Sequence, residues 1–280
     1  MRTSAEELFE AGVHVGHQKK RWNPKTRPYI FDHRNGITII NLVKTCEQIE
    51  KACEAAKNIV AGGGNVWFVG TKKQAKDVTK EGATSVDMPF CVNRWLGGTL
   101  TNFQTIECSL NKYKKFLTME ESGELARMYK KEAAAVRRKM NRMHASFEGL
   151  MQIEEPPAAL FIAGITHEHI AVAEAKKVGV PVFAIVDTNS DPTLVDYPIM
   201  CNDDSVKAIR MILGLFLEGV QEGIAIRGER RSSRRKLLST DDMIKIVPEV
   251  SMSKEIVDEI STNLLTETSE ADNEDIIKGD

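Results

Sequence analysis

The sequence predicts an α/β fold: a Rossmann-like or flavodoxin-like parallel sheet with helices on both faces and an inserted antiparallel coiled-coil hairpin. Short β-branched or aromatic runs alternate with helical patterns, as parallel strands joined by crossover helices require. One long segment breaks that alternation with apolar residues at heptad-like spacing. The chain has 280 residues, 42% of them apolar, which is enough for a core of this kind.

The first distinct segment, residues 11–45, is a basic arm. It sets Lys19, Lys20, Arg21, Lys25, Arg27 and Arg34, with three histidines, beside Trp22, Tyr29 and Phe31 and includes one acid, Asp32. Cations meet phosphate oxygens and aromatic faces stack on bases, so the combination points to RNA. Trp22 either stacks on an unpaired base or packs on the core, and both readings stay open. Residues 36–40 follow as a short strand and residues 42–60 as a helix. Residues 65–69, NVWFV, read as a buried parallel strand, because turn chemistry and then a helical pattern over 72–82 come next. Residues 89–92 give another short strand.

From 100 to 151 there is no strand pattern. Phe103, Ile106, Leu110, Tyr113 and Leu117 step by three and four, as do Tyr129, Ala133, Val136, Met140, Met143, Phe147 and Leu150. Joined by the polar turn 118–124, the two stripes describe a helical hairpin, whose second helix should extend roughly 40 Å at ~1.5 Å per residue and project. That helix carries Arg127, Lys130, Lys131, Arg137, Arg138, Lys139 and Arg142 against one acid, Glu132. A solvated face normally mixes signs, so phosphate contact is expected.

Strands at 158–162 and 180–186 and helices at 168–178 and 203–222 complete the core. The organisation is then residues 1–99 with 152–226 as core and arm, 100–151 as the insertion, and 227–280 as a disordered tail. The tail opens with Arg227, Arg230, Arg231, Arg234, Arg235 and Lys236, where periodicity ends, a cluster expected to order only on RNA.

Net charge is −2, which argues against a nucleic-acid binder until the charge is divided. Residues 241–280 hold twelve acids and three lysines, leaving residues 1–240 with a net charge of +7. An acidic terminal block is ordinarily a solvated segment, and the basic body carries the functional signal. Five widely spaced cysteines without a CxxC pair fit packing residues in a reducing compartment, and neither a disulfide framework nor a zinc ribbon. Glu6, Glu7 and Glu10 stand where a signal peptide needs a basic flank, and no segment approaches ~18 continuous apolar residues. A cytoplasmic protein with no membrane contact is expected.

Several catalytic and ligand motifs fail on spacing. The GGGN run at 62–65 precedes a strand, the reverse of what a pyrophosphate at a helix start requires. Residues 70–73, GTKK, sit correctly for an anion but lack the P-loop length, leaving Lys72 and Lys73 as candidates for an RNA phosphate. HEHIA at 167–171 has Ala171 where HExxH needs its second ligand, and more simply starts a helix. His14, His17, Asp187, Asp191, Asp203 and Asp204 either hold a structural cation or make turn and cap hydrogen bonds. No catalytic residue, metal ligand, cofactor or small-molecule substrate is assigned. Gly97 and Gly98 either let backbone approach RNA or make a tight turn.

The motifs AGVHVGHQ (11–18), WNPK (22–25), YIF (29–31), RNGITIINLVKT (34–45), FVGTKKQA (68–75), RWLGGTLTNF (94–103), PVFAIVDTNSDP (181–192) and NDD (202–204) occur in this order. Over residues 4–226 the chain so resembles the family of the bacterial-type second protein of the small ribosomal subunit. The resemblance implies an α/β core with a protruding coiled coil, bound to small-subunit rRNA between head and body. It further implies ribosome-bound localisation, no catalytic activity, and a part in docking small-subunit protein one, the mRNA-capturing component. Arg94 joins the RNA-facing set through this resemblance. The run before Arg94 is one residue shorter than the family's usual one, Met200-Cys201 replaces the usual Pro-Gly, and Ala163-Gly164 replaces a frequent acid. Two rival readings are an α/β enzyme or nucleotide/phosphosugar-binding protein using residues 70–73 and Asp187, and a protein-interaction module pairing through the hairpin.

Overall fold

A computed structural model of the protein describes residues 2–151, 153 and 155–237. Five parallel strands form the main sheet: β4 (Val66–Val69), β5 (Phe90–Cys91), β6 (Ala159–Ala163), β7 (Val182–Val186) and β8 (Tyr197–Met200). Their spatial order, β5-β4-β6-β7-β8, is 2-1-3-4-5 in chain order, which selects the flavodoxin-like alternative. The 65–69, 158–162 and 180–186 strands are present within two residues of their expected bounds.

Alternation along each strand sends side chains to two cores. Phe68, Phe161, Phe183 and Ile185 face the helices α1 (Ala5–Glu10), α2 (Leu42–Ala61), α3 (Lys73–Ser85) and α8 (Val206–Leu237), where Phe216 packs 4.6 Å from the Phe161 ring. Trp67, Val69, Leu160, Ile162 and Ala184 face α7 (His169–Val178) and the hairpin roots. Burying side chains of this size contributes about 2–3 kcal/mol each before entropy is counted. This double burial explains why these strands read as continuous apolar runs.

The 36–40 strand is not part of that sheet. It is β3 (Ile37–Ile40), the middle of an antiparallel sheet β1-β3-β2 with β1 (Val15–Gln18) and β2 (Ile30–Arg34). Asn35 at φ 50° and Gly36 at φ 76° make the tight β2–β3 turn, so the Asn-Gly pair is a hairpin signal that outweighs the parallel-strand reading. The arm is consequently a folded subdomain. β8 is hidden in the sequence because Pro198 interrupts its pattern, and an edge strand tolerates proline.

The insertion comprises α4 (Phe103–Glu121), α5 (Glu124–Arg127) and α6 (Lys130–Phe147). Met128, extended at ψ 160°, divides the expected second helix, so Arg127 lies in a separate turn. The 18 residues of α6 span about 27 Å, not 40. Tyr129 leaves the apolar stripe and is 82% exposed, because it occupies the non-helical position before α6. Inside the hairpin, Leu110 and Tyr113 of α4 and Ala133, Met140 and Phe147 of α6 are buried, and the Tyr113 hydroxyl lies 2.7 Å from His144 Nδ1.

Residues up to Gly228 form one compact unit. Helix α8 runs to Leu237 rather than stopping at 222, so the segment from Arg227 through Lys236 has helical backbone. Arg and Lys are good helix formers, which accounts for the continuation. The acidic block at 241–280 lies outside the described residues.

Candidate nucleic-acid interface

The arm is seated on the loop after β7. The Asn23 amide donates to the Thr188 carbonyl at 2.8 Å, and the His17 amide donates to Thr188 Oγ1 at 2.9 Å. A Cβ at Gly16 would lie 2.6 Å from Thr188 Cγ2 and 2.9 Å from the Thr38 carbonyl, so glycine is required for this approach. Lys25 Nζ meets Asp191 at 2.5 Å. Thus AGVHVGHQ and VDTNSDP are halves of one docking surface. On the arm, Lys19, Lys20, Arg21, Arg27 and Arg34 are exposed, with Arg34 Nε 3.2 Å from Asp32. Trp22 is half-buried, edge-on to His33 with centroids 5.3 Å apart.

Beside the arm, His17 bridges two acids, with Nδ1 3.0 Å from Asp187 and Nε2 3.3 Å from Asp204. The Asp187 hydrogen bond raises the imidazole pKa, against the effect of burial. Lys72 turns inward to Asp203 and Asp204, each at 2.7 Å. Burial raises the Asp203 carboxyl, with Asp187 adding to the rise and Lys72 opposing it. One ligand atom from each of His17, Asp187 and Asp203 lies within 4.8 Å of the others, so this trio has a cation-holding arrangement, and the Lys72 ammonium already lies against it. Asp191 instead takes Lys25, and His14 stacks on Phe9 at 4.1 Å.

The switch point of a doubly wound sheet, where a small ligand ordinarily binds, falls between the ends of β4 and β6. Here the buried Glu168 accepts the Thr71 amide at 2.8 Å, and Thr71 Oγ1 lies 3.0 Å from His167. Lys72 is engaged nearby with Asp203 and Asp204. Lys73 and Arg94 are exposed at separate points.

Sequence reasoning missed Glu174. Its buried carboxylate accepts the amides of Gly98, Leu100 and Thr101 at 2.7, 2.9 and 3.3 Å, and the Trp95 indole N–H at 3.3 Å. Burial alone would raise its pKa, but these donors outweigh it and the net shift is downward. The strap into the hairpin is therefore fastened to α7. Four cysteines are buried as packing residues, with burial pushing the Cys53 thiol to about 11, whereas Cys108 is exposed.

On the hairpin, Arg127, Lys130, Lys131, Arg137, Arg138, Lys139 and Arg142 are all exposed. Among the described residues only Arg137 of these seven has a carboxylate within 4 Å, Glu120 at 3.9 Å. Lys112, on α4, faces Lys139 across the hairpin, a residue that the charge pattern of the second helix alone does not reveal. A different surface lies beside β3: a groove of about 580 Å³ lined by Phe9, His14, Phe31, Ile39, Leu42 and Val43, with Phe9 58% and Phe31 66% exposed. No helix among the described residues is long and apolar enough to cross a membrane.

A doubly wound sheet that carries two cationic appendages and an apolar groove has the surfaces of a scaffold for macromolecular contact. The family model "Ribosomal protein S2" matches residues 8–223. The chain is 51% identical to small ribosomal subunit protein uS2 of Opitutus terrae, over 84% of this chain and 78% of that one. It is 41% identical to uS2 of Coprothermobacter proteolyticus over 91% and 92% of the two chains, and 45% identical to uS2 of Flavobacterium johnsoniae over 82% and 91%. The chain belongs to the ribosomal protein S2 family.

Proposed function

We propose that the protein is a structural constituent of the small ribosomal subunit, holding small-subunit rRNA through the arm and hairpin while the α/β core positions both. Its role is non-catalytic and its location is the ribosome in the cytoplasm. The observation that carries this reading is the seven exposed hairpin cations in an S2-family chain, of which only Arg137 makes an ion pair among the described residues. A-form major grooves are too narrow for side chains to read, so contact runs through phosphates and helix shape. Lys72 is better assigned to its acids than to RNA, and Lys73 and Arg94 remain in the RNA-facing set.

The test is sedimentation of a cell extract at low and high salt. Co-migration with small subunits at low salt, with release as salt rises, supports the proposal. Retention in the soluble fraction under both conditions contradicts it.

A finer reading is that the chain docks small-subunit protein one. The groove favours it: Phe9, Phe31 and Val43 are more than half exposed around an apolar floor, which phosphate contact does not require. Particles carrying Phe31→Asp should retain this chain and lose protein one; full retention of protein one removes the groove from that role.

A further inference from the structure

On α4 and α6, three cations converge at one level of the hairpin. Lys139 Nζ lies 5.8 Å from the Phe116 ring centroid, which draws its side chain across to α4. Lys112 lies four residues before Phe116, on the same face of that helix, and its side chain meets that of Lys139. Arg142, three residues beyond Lys139, is held by Nε donating to the Arg138 carbonyl at 3.3 Å. Among the described residues no carboxylate forms an ion pair with Lys112, Lys139 or Arg142; Glu120 faces Arg137 and Glu148 faces Lys80. Such crowding of like charge is unfavourable in the free protein, and contact with Lys112 is the main influence lowering the Lys139 pKa.

From this arrangement we propose that Lys112, Lys139 and Arg142 form one clamp, spanning both helices, for a single phosphodiester of folded small-subunit rRNA. Two ammonium groups and a guanidinium provide donors for the two non-bridging oxygens. One negative charge between them converts mutual repulsion into attraction. The clamp would also fix how α4 and α6 sit against the RNA, since a phosphate held from both helices resists rotation of the hairpin. This inference rests on the rRNA-binding reading and adds Lys112 to it, together with the prediction that the cations act as a unit.

The experiment is a double-mutant cycle on the full chain, with filter binding to small-subunit rRNA over a range of salt, using Lys112→Gln, Lys139→Gln and the pair. If one phosphate is clamped, each single variant weakens binding by up to roughly sixfold, the double loses much less than the two losses combined, and the salt slope falls by no more than about 0.7–0.9 even in the double. Thermal melting of the free Lys112→Gln protein should stay level or rise, because crowding is relieved. Losses that add fully across the two sites mean independent contacts and overturn the clamp, leaving rRNA binding intact. Unchanged affinity in all three variants overturns it too. Failure of the unaltered chain to bind rRNA sinks the underlying reading instead.

Discussion

The Glu174 carboxylate accepts the Gly98 amide at 2.7 Å, joining the middle of α7 to the glycine turn that launches the hairpin. With Leu100, Thr101 and Trp95 as further donors, one side chain fixes the direction in which the basic insertion leaves the core. Replacing Glu174 with Ala strands several amides in a buried site and should cost about 2–4 kcal/mol. Urea unfolding checks this, and Glu174→Gln, which keeps one acceptor oxygen, should fall between Ala and the unaltered protein.

The same carboxylate sets an acid dependence. Its folded pKa lies below the ordinary 4.5, so its stabilisation is fully present above about that pH and is lost as pH falls through the lower folded value. The gap in urea midpoint between the unaltered protein and Glu174→Gln should be constant from about pH 7 to about pH 5.5 and narrow toward about pH 3. A gap that widens on acidification contradicts the assignment.

Lys72 tests the internal cluster. Lys72→Met leaves the buried Asp203 facing Asp187 without its ammonium, and should destabilise by about 2–3 kcal/mol, the partly exposed lysine placing the effect below that of a fully buried pair. Asp203→Asn in the same chain should restore most of that loss. A Lys72→Met protein with normal stability and strongly weakened rRNA binding would return this lysine to the interface.

Gly97 and Gly98 separate cleanly. Gly98 adopts φ +93°, so Gly98→Ala should cost about 1 kcal/mol in the left-handed region. A Cβ on Gly97 meets nothing within 4 Å, so Gly97→Ala should leave the melting temperature unchanged. If Gly97 serves close approach to RNA, the same variant weakens rRNA binding; unchanged binding ends that reading for Gly97.

Much of the fold is legible in the sequence because buried parallel strands and heptad stripes are local patterns. VWFV and ALFIA announce themselves through continuous apolar character, and Leu110, Tyr113, Met140 and Phe147 through their spacing. Long-range choices are not legible. Nothing local tells Ile37–Ile40 which sheet to join, since that depends on the Asn35-Gly36 turn and on Thr188 receiving the arm. Lys72 looks like a phosphate ligand in GTKK, and only folding brings Asp203 and Asp204 against it from more than a hundred residues away. Glu174 is hidden for the same reason, as an ordinary helix glutamate whose partners lie 73–79 positions earlier.

RNA phosphate is held, on this proposal, by exposed cations of the arm and the hairpin. That proposal is tested most directly by the salt dependence of rRNA affinity for the full chain and for Arg137→Glu/Arg138→Glu combined with Lys19→Gln/Lys20→Gln. Weaker binding is expected, with a slope flatter by about 0.7–0.9 for each phosphate no longer neutralised. Equal affinity and equal slope in the two proteins would contradict it.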